Sequence, residues 1–308
     1  MSSAVAGTRG PQIPGFRWVR PLGQGGFADV FLYRQELPSR DVAIKVVRAK
    51  GDERGTLELH READAMTLLA GHPAVVELHG VGTTSDGRAY LVMEYCPVAD
   101  LLTQVRARPM SLETALDTMI KVCGVVEMFH RQGYVHRDIK PSNIMLDAYG
   151  KPVLADFGVA SKIGKLEVGA FDGFSVLWAP PEQQDINSPA VPTQDVWALA
   201  STMWTFITGR SPFEDPIGDN SAASIANRVQ RGRMRGLGRA DAPAELERVL
   251  RAAMAINPDE RTPTALEFGK GLQRVQQELG YARTEMEIKE KRSKVQAGSA
   301  GDQKNRPA

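Results

Sequence analysis

The sequence has few of the features that mark secreted, metal-stapled or membrane-spanning proteins. Among its 308 residues are only two cysteines, Cys96 and Cys123, which excludes a disulfide framework and leaves no zinc-like spacing. The longest apolar-rich stretch, residues 196–207, is too short to span a bilayer. The polar first residues do not have the pattern of a signal peptide. A reducing, cytoplasmic setting is therefore expected, with no membrane span in this chain.

An excess of charge of either sign is also missing. Lysine and arginine together number 38, against 37 aspartates and glutamates, so no basic field for nucleic acid is expected. The length suffices for one large domain or two modest ones, each with a packed core. No internal repeat is evident. These properties predict a globular protein without a nucleic-acid partner.

The first third of the chain has the pattern of a small sheet with one helix. Residues 1–12 are small and polar and contain glycine and proline, which predicts disorder. Alternating apolar and β-branched residues predict strands within 16–47. Residues 57–70 predict an amphipathic helix, and further strands are predicted at 75–78 and 89–93.

Beyond a connector at residues 94–97 the pattern becomes helical. Ser111 is a good N-cap for a helix with apolar residues at helical spacing, and Gly133 would end that helix. Residues 193–208, followed by Gly209, are apolar nearly all round, which predicts a buried central helix. A small sheet-rich lobe is therefore expected to precede a larger helical lobe.

A glycine-rich loop lies between the first two predicted strands. Residues 22–30 run Leu-Gly-Gln-Gly-Gly-Phe-Ala-Asp-Val, and glycine lets backbone amides approach an anion closely. No Gly-Lys-Ser/Thr and no helix follow, which excludes a Walker loop and a Rossmann fingerprint. A glycine-rich hairpin can also be a simple turn. The candidate cofactor-binding residues of this loop are Leu22, Gly23, Gln24, Gly25, Gly26, Phe27, Ala28 and Val30.

The most informative feature is the run His-Arg-Asp-Ile-Lys-Pro-Ser-Asn at residues 136–143, followed by Asp-Phe-Gly at 156–158. Phosphoryl transfer requires positioning and charge neutralisation more than covalent chemistry. Asp138 could accept the proton of an attacking hydroxyl, and Lys140 could lie against the moving phosphoryl group. Mg²⁺ prefers hard oxygen ligands. The two candidates for that role are Asn143 and Asp156.

At these residues the chain resembles the eukaryotic-like, bacterial-type Ser/Thr protein kinase family. The resemblance covers roughly residues 13–280. It implies an α+β, bilobal protein-kinase-like fold, with a small β-rich N-lobe of about 13–95 carrying one key helix. A larger, mainly helical C-lobe would occupy about 96–280, and residues 281–308 would form a charged linker or tail.

The resemblance also assigns a role to the Val-Ala-Ile-Lys run at residues 42–45. By itself this run predicts only a strand ending in a lysine. In the family, Lys45 would reach the α- and β-phosphates of ATP and would be held by a helical glutamate. Glu62 occupies the matching place. Glu58, one turn earlier, is the competing assignment, and Glu62 is preferred.

The connector would supply the adenine site by the same resemblance. The Glu94 carbonyl and the Cys96 amide would bond the purine, with Met93 behind the pocket. The residues that would sandwich the ring are Val30, Ala43 and Met145. Each of these apolar residues would be buried in any fold. Where the family has a third glycine this chain has Ala28, and a modest effect is expected.

Further residues would organise the site without reacting. His136 would be structural, and it would stack with Met66, Leu78 and Phe157, which is followed by Gly158. By the same resemblance, Arg137 would contact the activation segment, and Glu182 would form a buried ion pair with Arg261. Asp195 would bind the backbone of the catalytic loop, residues 136–143, and Ser175 would contact Lys140. Asp195 could also be a simple acid at a helix N-terminus.

The activation segment departs from the family pattern. Between Gly158 and Ser175 there is no threonine, and Ser161 lies too near the Asp-Phe-Gly motif to be an activating phosphorylation site. Our hypothesis is that Glu167 or Asp172 pairs with the arginine before the catalytic aspartate, or that a partner orders this segment.

The expected function is transfer of the ATP γ-phosphate to Ser or Thr hydroxyls of proteins, with autophosphorylation and with Mg²⁺, or alternatively Mn²⁺. An ATP-binding pseudokinase scaffold and a small-molecule phosphotransferase of the same fold are the alternatives. Arginines spaced through residues 228–239 form either a docking loop or a solvated face. The tail would belong either to a soluble kinase or to one tethered to the membrane in a longer parent.

Overall fold

A computed structural model describes residues 9–98, 100–166, 176–185 and 188–288. The N-terminal lobe is a five-stranded antiparallel sheet with strand order β1-β2-β3-β5-β4. Its strands are β1 (Phe16–Gln24), β2 (Ala28–Gln35), β3 (Arg40–Val47), β4 (Leu78–Thr83) and β5 (Ala89–Glu94). The expected α+β architecture is therefore confirmed for this lobe.

The alternation of side chains along β3 decides where Lys45 points. Val42, Ile44 and Val46 pack into one apolar cluster with residues of β2. Val47 packs on the other face, against the helix α1 (Glu53–Leu68). Because successive strand residues alternate between faces, Lys45 lies on the α1 side of the sheet.

The helix α1 brings a buried carboxylate to that face. The side chain of Asp52 caps the helix by accepting the Gly55 amide at 2.8 Å, so α1 begins four residues before its predicted start. Leu59, Glu62 and Met66 are all buried and recur at the spacing of one helical face. Glu62 is 1% exposed, a burial that a carboxylate tolerates only with a partner.

The strand predicted at residues 75–78 is wrong, because β4 begins only at Leu78. Val75 instead forms an isolated parallel bridge with Leu154, and the Val76 amide donates to the Leu154 carbonyl at 3.0 Å. Both valines are buried. The β-branched run is apolar because it packs against the second lobe, and not because it lies inside the sheet.

The second lobe is mainly helical, as expected. In the described residues its helices are α2 (Leu101–Ala107), α3 (Leu112–Arg131), α4 (Pro192–Thr208), α5 (Ala222–Gln230), α6 (Ala244–Ala253) and α7 (Ala265–Glu278). The predicted cap of α3 is confirmed, since the Ser111 side chain accepts the Thr114 amide. The central helix α4 is buried along most of its length and ends at Gly209, whose φ is 74°. None of the helices in this part of the chain is long and apolar enough to cross a membrane.

Two short antiparallel pairs frame the predicted catalytic segments. The strand β6 (Tyr134–Val135) pairs with β9 (Ser161–Lys162), and β7 (Ile144–Leu146) pairs with β8 (Pro152–Leu154). The segment 136–143 therefore leaves β6 and enters β7, while 156–158 lies between β8 and β9. Strand pairing holds both segments at one side of the lobe, although they are separated in sequence.

The predicted domain limits stay predictions, but eight residues of the predicted tail pack on the helical lobe. Met286 packs against its core. His72 accepts the Ala74 amide at Nδ1, so its Nε2 carries a proton and donates it to the Glu287 carbonyl at 2.9 Å. The segment 281–288 thus reaches the loop that follows α1.

Thr284 anchors this segment. Its hydroxyl accepts from the Gln276 side chain at 2.8 Å and donates to Asp117 at 2.9 Å, and its amide donates to Gln276 at 3.0 Å. Gln276 is 1% exposed. Loss of the Thr284 hydroxyl would therefore leave the buried side-chain amide of Gln276 without that hydrogen-bond partner.

We expect the isosteric substitution Thr284→Val to lower the free energy of unfolding by about 1–3 kcal/mol, because polar groups stay buried while their partner is removed. Denaturant unfolding followed by circular dichroism would measure it. The matched control is Thr83→Val at an exposed position of β4, which should change stability by less than about 0.5 kcal/mol. Equal effects of the two substitutions would contradict the anchoring role.

Candidate active site

Lys45 lies between two carboxylates in the cleft between the lobes. Its Nζ is 2.7 and 2.9 Å from the two carboxylate oxygens of Glu62 and 3.2 Å from Asp156 Oδ1. Burial alone would lower the pKa of Lys45, but Glu62 and Asp156 together raise it above its ordinary value. The lysine is therefore charged at neutral pH. The competing Glu58 pairs instead with Arg54 at 3.0 Å.

Asp138 lies in a buried network of short hydrogen bonds. Its Oδ2 accepts from Lys140 Nζ at 2.6 Å and from the side-chain amide of Asn143 at 3.1 Å. The same amide of Asn143 donates to the Asp138 carbonyl at 2.8 Å. Burial raises the pKa of Asp138, while the ammonium of Lys140 opposes that shift. The carboxylate is thus held in one orientation and is more basic than an ordinary aspartate.

Asp156 presents its side chain toward the cleft from a left-handed backbone. Its φ is 60°, which is uncommon for a residue with a Cβ. Residues with such backbone angles are found most often at functional sites. The side chain is 45% exposed, and the positive charge of Lys45 holds its pKa below the usual value. The adjacent Ala155 amide donates to the Asn143 carbonyl at 2.9 Å, which keeps the two predicted metal ligands close.

The donor set at this place suits a hard divalent cation. Asp156 is an ionised and partly exposed carboxylate. Asn143, whose carbonyl accepts the amide of the preceding Ala155, also carries a side-chain amide oxygen. Mg²⁺ takes one or two such protein ligands and completes its shell with water and phosphate oxygens. The residues present therefore fit a magnesium–nucleotide site.

Asp195 holds the segment 136–143, the predicted catalytic loop, from the start of α4. It is fully buried and accepts the backbone amides of His136 at 2.7 Å and Arg137 at 2.8 Å. It also accepts from His130 Nε2 at 2.8 Å. Burial would raise the pKa of Asp195, but the hydrogen bond from His130 and the neighbouring groups lower it overall. Asp195 is therefore more than a helix-terminal acid.

His130 is a contact that the sequence reasoning missed. It lies near the end of α3, 7% of its side chain is exposed, and it pairs with Asp195 across 65 positions of sequence. The only sign of this contact in the sequence is that His130 is a polar residue near the end of a helix whose other residues are mostly apolar. The pattern alone does not distinguish such a residue from an ordinary helix-terminal histidine.

Aromatic rings close in sequence to Asp138 and Asp156 pack against one another. The rings of His136 and Phe157 are 4.8 Å apart, and Phe157 meets Phe129 edge to face at 5.5 Å. Met66 is buried in the same cluster, and Leu78 packs against it. The four residues predicted to stack between the lobes therefore pack together, which connects α1 to the segment 136–143.

Glu182 and Arg261 form a bidentate ion pair. The two distances are 2.6 and 2.7 Å, and the arginine side chain is completely buried. Arg261 also donates to the carbonyls of Ala255 and Ile256, and its guanidinium lies 4.9 Å from the centre of the Trp197 ring. This pair ties the Pro-Pro-Glu turn, residues 180–182, to α4 and to the segment before α7.

The glycine-rich loop closes as a hairpin between β1 and β2. The Gly25 amide donates to the Ala28 carbonyl at 2.8 Å. Arg48, which sequence reasoning did not single out, donates to the Gly25 carbonyl at 2.6 Å and pairs with Asp29 at 2.9 Å. The ring of Phe27 lies 5.4 Å from Lys45 Nζ. The turn therefore forms with alanine in place of the family's third glycine.

The predicted adenine-site residues lie on four strands and the connector. Val30 is on β2, Ala43 on β3, and both Met93 and Glu94 are at the end of β5. Met145 is on β7. In the connector, Cys96 is 4% exposed, and burial raises the pKa of its thiol to about 12. The connector therefore does not carry a reactive thiolate.

Several predictions fall on residues outside the described ranges. Ser175, Glu167 and Asp172 all belong to the undescribed residues 167–175. The proposed contacts of these residues with Lys140 and Arg137 stay predictions. Ser161 is described, is 3% exposed and belongs to β9.

The arginines of the loop 228–239 mostly support local structure. Arg239 donates to the carbonyls of Met110 and Ile207 at 2.7 and 2.8 Å. Arg228 donates to the Phe213 carbonyl at 2.7 Å, and Arg235 pairs with Asp215 at 3.1 Å. Three of the five arginines therefore have structural contacts, and a docking role for the loop stays a prediction.

The comparison with known proteins decides the family. The protein kinase domain model matches residues 16–271. The chain belongs to the protein kinase family. It is 34% identical over 287 residues to the serine/threonine-protein kinase PknK of Mycobacterium tuberculosis, covering 90% of this chain and 26% of that protein. It is 32% identical to the serine/threonine-protein kinase PknB of Mycolicibacterium smegmatis, covering 82% of this chain and 42% of that protein.

The same kinase PknK of Mycobacterium bovis is also 34% identical over 90% of this chain. The chain spans between about a quarter and two fifths of the length of these curated relatives. Protein kinases use ATP and a divalent metal ion. Membership of the protein kinase family confirms the expected bilobal fold, and the sheet-rich and helical lobes described above are its two parts.

Proposed function

We propose that this protein kinase transfers the γ-phosphate of ATP to serine or threonine hydroxyls of proteins. The observation that carries the proposal is one connected cluster, in which Lys45 contacts both Glu62 and Asp156, and Asp138 contacts both Lys140 and Asn143. The relatives are serine/threonine-protein kinases by name. The role of each residue, the substrates and the partners are part of this proposal.

Each of the clustered residues has a separate role in an in-line phosphoryl transfer. The substrate hydroxyl oxygen bonds to the γ-phosphorus while the bond from that phosphorus to the β,γ-bridging oxygen breaks, and ADP leaves. Asp138 orients the hydroxyl and accepts its proton. Lys140 neutralises charge near the transferred group, and Lys45, held by Glu62, positions the α- and β-phosphates. The short Lys45–Glu62 contact of 2.7 Å keeps that ammonium aimed at the cleft.

Asn143 and Asp156 would hold the metal ion, which would neutralise charge on the phosphate oxygens when bound. Mg²⁺ is the proposed ion because both donors are hard oxygens, and Mn²⁺ is the alternative. The glycine-rich loop would cover the phosphates, and the connector would bond the adenine through the Glu94 carbonyl and the Cys96 amide. A reducing, cytoplasmic setting is proposed because Cys96 and Cys123 are both free and buried.

Two alternatives are less well supported. A pseudokinase scaffold would retain the fold but would typically lack one of Lys45, Asp138 or Asp156, and all three are present and in the contacts described. A small-molecule phosphotransferase would not need the Glu182–Arg261 pair at 2.6 Å, which would support a platform for protein substrates. The Pro-Pro-Glu turn therefore favours a protein acceptor.

The test of this function is incorporation of labelled phosphate from ATP into a generic basic protein acceptor and into the kinase itself. Reactions with Mg²⁺, with Mn²⁺ and with a chelator would identify the ion, and mass spectrometry would locate the label. Label on Ser or Thr that disappears with the chelator is expected. Nucleotide binding without any transfer would instead support a scaffold, and label only on free amino alcohols or sugars would support a small-molecule enzyme.

We expect kcat to have an acid limb at a pH above that of an ordinary aspartate. The proposed base works only when ionised, and burial raises the pKa of Asp138. Activity should therefore be complete above the raised pKa and should be lost as the pH falls through it. kcat at saturating metal–ATP, with ATP binding measured at each pH to separate titration of the nucleotide, would check this. An acid limb at or below the usual aspartate range would contradict it.

A further inference from the structure

Gln183 holds the backbone immediately before the proposed base. It lies in the short turn Pro181–Gln184, is 3% exposed, and its side-chain Nε2 donates to the Arg137 carbonyl at 2.7 Å. The two residues are 46 positions apart in sequence. This buried hydrogen bond joins the end of the activation segment to the catalytic loop.

The carbonyl that Gln183 holds belongs to a backbone segment of uncommon geometry. Arg137 has φ 69°, a left-handed conformation that the surroundings must stabilise in a residue with a Cβ. Its amide donates to Asp195 Oδ1 at 2.8 Å. Arg137 is therefore bonded through its amide to α4 and through its carbonyl to Gln183.

The same carbonyl lies in the peptide group that leads into Asp138. Since that group is planar, its orientation determines where the Cα of Asp138 lies. The carbonyl is fixed by Gln183 at 2.7 Å, and the amide of the same group, that of Asp138, donates to His136 Nδ1 at 3.3 Å. Both polar atoms of this peptide thus have partners, one of which comes from the Pro-Pro-Glu turn.

We propose that Gln183 is a positioning residue for phosphoryl transfer, which sets the orientation of Asp138 through the Arg137 carbonyl and makes that orientation depend on the turn anchored by Glu182. The inference rests on the proposed function, because it assigns Asp138 the role of the base. Gln183 touches neither nucleotide nor acceptor in this scheme and acts only through the backbone.

The test replaces the donor while preserving size. Gln183→Met removes the hydrogen bond with a side chain of similar length, and Gln183→Glu keeps the shape but removes the donor. Each is expected to lower kcat by about ten- to a hundredfold, since small misplacement of a reacting group has effects of that size. KM for ATP should stay within about twofold, because Lys45 and the glycine-rich loop are untouched.

The neighbouring residue offers a matched control. Gln184 follows in the same turn, and its side-chain oxygen accepts from Gln230 at 3.2 Å, away from the catalytic loop. Gln184→Met should leave kcat unchanged. Thermal unfolding of all variants would show whether any loss of kcat follows a loss of fold.

Hydrogen exchange measured by mass spectrometry gives a second readout that does not require activity. Peptides covering residues 136–143 should exchange faster in Gln183→Met than in the wild type and in Gln184→Met. Unchanged kcat would overturn the inference whatever the exchange shows, as would a fall of kcat that comes with a higher KM for ATP and a lower melting temperature in both Gln183 variants. An inactive wild type would overturn the proposed function alone, and exchange would still decide whether Gln183 orders the loop.

Discussion

The substitution Asp138→Asn is expected to lower kcat about 10²–10⁴-fold, which is the range that a positioned general base contributes. A carboxamide has the same shape and can still accept from Lys140, now 2.6 Å from Asp138 Oδ2, but it cannot take the proton of the hydroxyl. ATP affinity should stay nearly unchanged, because the phosphates are assigned to Lys45 and to the metal. Single-turnover transfer and equilibrium ATP binding would measure the two quantities.

The stability of this variant should not fall. Burial raises the pKa of Asp138, so the folded state disfavours its ionised form, and a neutral amide removes that penalty at pH 7. Substitutions at active sites can remove function without lowering stability. Asp259→Asn, at an exposed carboxylate outside the cleft, is the control and should leave both activity and stability unchanged. If Asp138→Asn retained most of the activity, the assigned base would be wrong.

The substitution Arg261→Met is expected to lower the free energy of unfolding by about 3–5 kcal/mol, the range seen when one partner of a buried ion pair is removed. The guanidinium has no exposed surface and makes two short bonds to Glu182. Its loss would leave that carboxylate with 19% exposure and without its charge partner. The carbonyls of Ala255 and Ile256 would lose donors as well.

Denaturant unfolding of the kinase domain would measure the effect, and Arg248→Met supplies a control with the same chemistry. Arg248 pairs with Glu245 three residues earlier, and its side chain is 65% exposed. Surface pairs of that kind contribute only about 0–1 kcal/mol. Similar losses in the two variants would show that the Glu182–Arg261 pair has no special structural role. A large fall in the free energy of unfolding for Arg261→Met alone would show that the Pro-Pro-Glu turn contributes strongly to the stability of the lobe.

The chemistry of the site could be predicted from short runs of sequence. The groups of the 136–143 segment lie close together because few residues separate them, as the contact of Lys140 with Asp138 at 2.6 Å shows. The side of β3 on which Lys45 lies follows from strand alternation, since a period of two leaves only two choices. The caps of α3 and α4, at Ser111 and Gly209, could also be predicted from the sequence, because each cap depends only on the residues next to it in the chain.

Other features required the tertiary structure. Glu58 and Glu62 lie one turn apart on nearly the same helical face, so periodicity cannot select between them. Only the packing of α1 on β3 decides that Glu62 meets Lys45 and that Glu58 pairs with Arg54.

The supports of the catalytic loop have the same origin. His130 reaches Asp195 across 65 positions, and Gln183 reaches Arg137 across 46. The Thr284 anchor depends likewise on a contact of the predicted tail with Asp117, 167 positions earlier.

By itself, then, the sequence determined which proposed reacting groups this kinase carries, because their order and spacing are local properties of the chain. The tertiary structure decided which polar side chains hold those groups in place. A buried amide, imidazole or carboxylate is specified by a partner distant in sequence, and that partner becomes visible only when the two lobes and the turns between their elements are packed together.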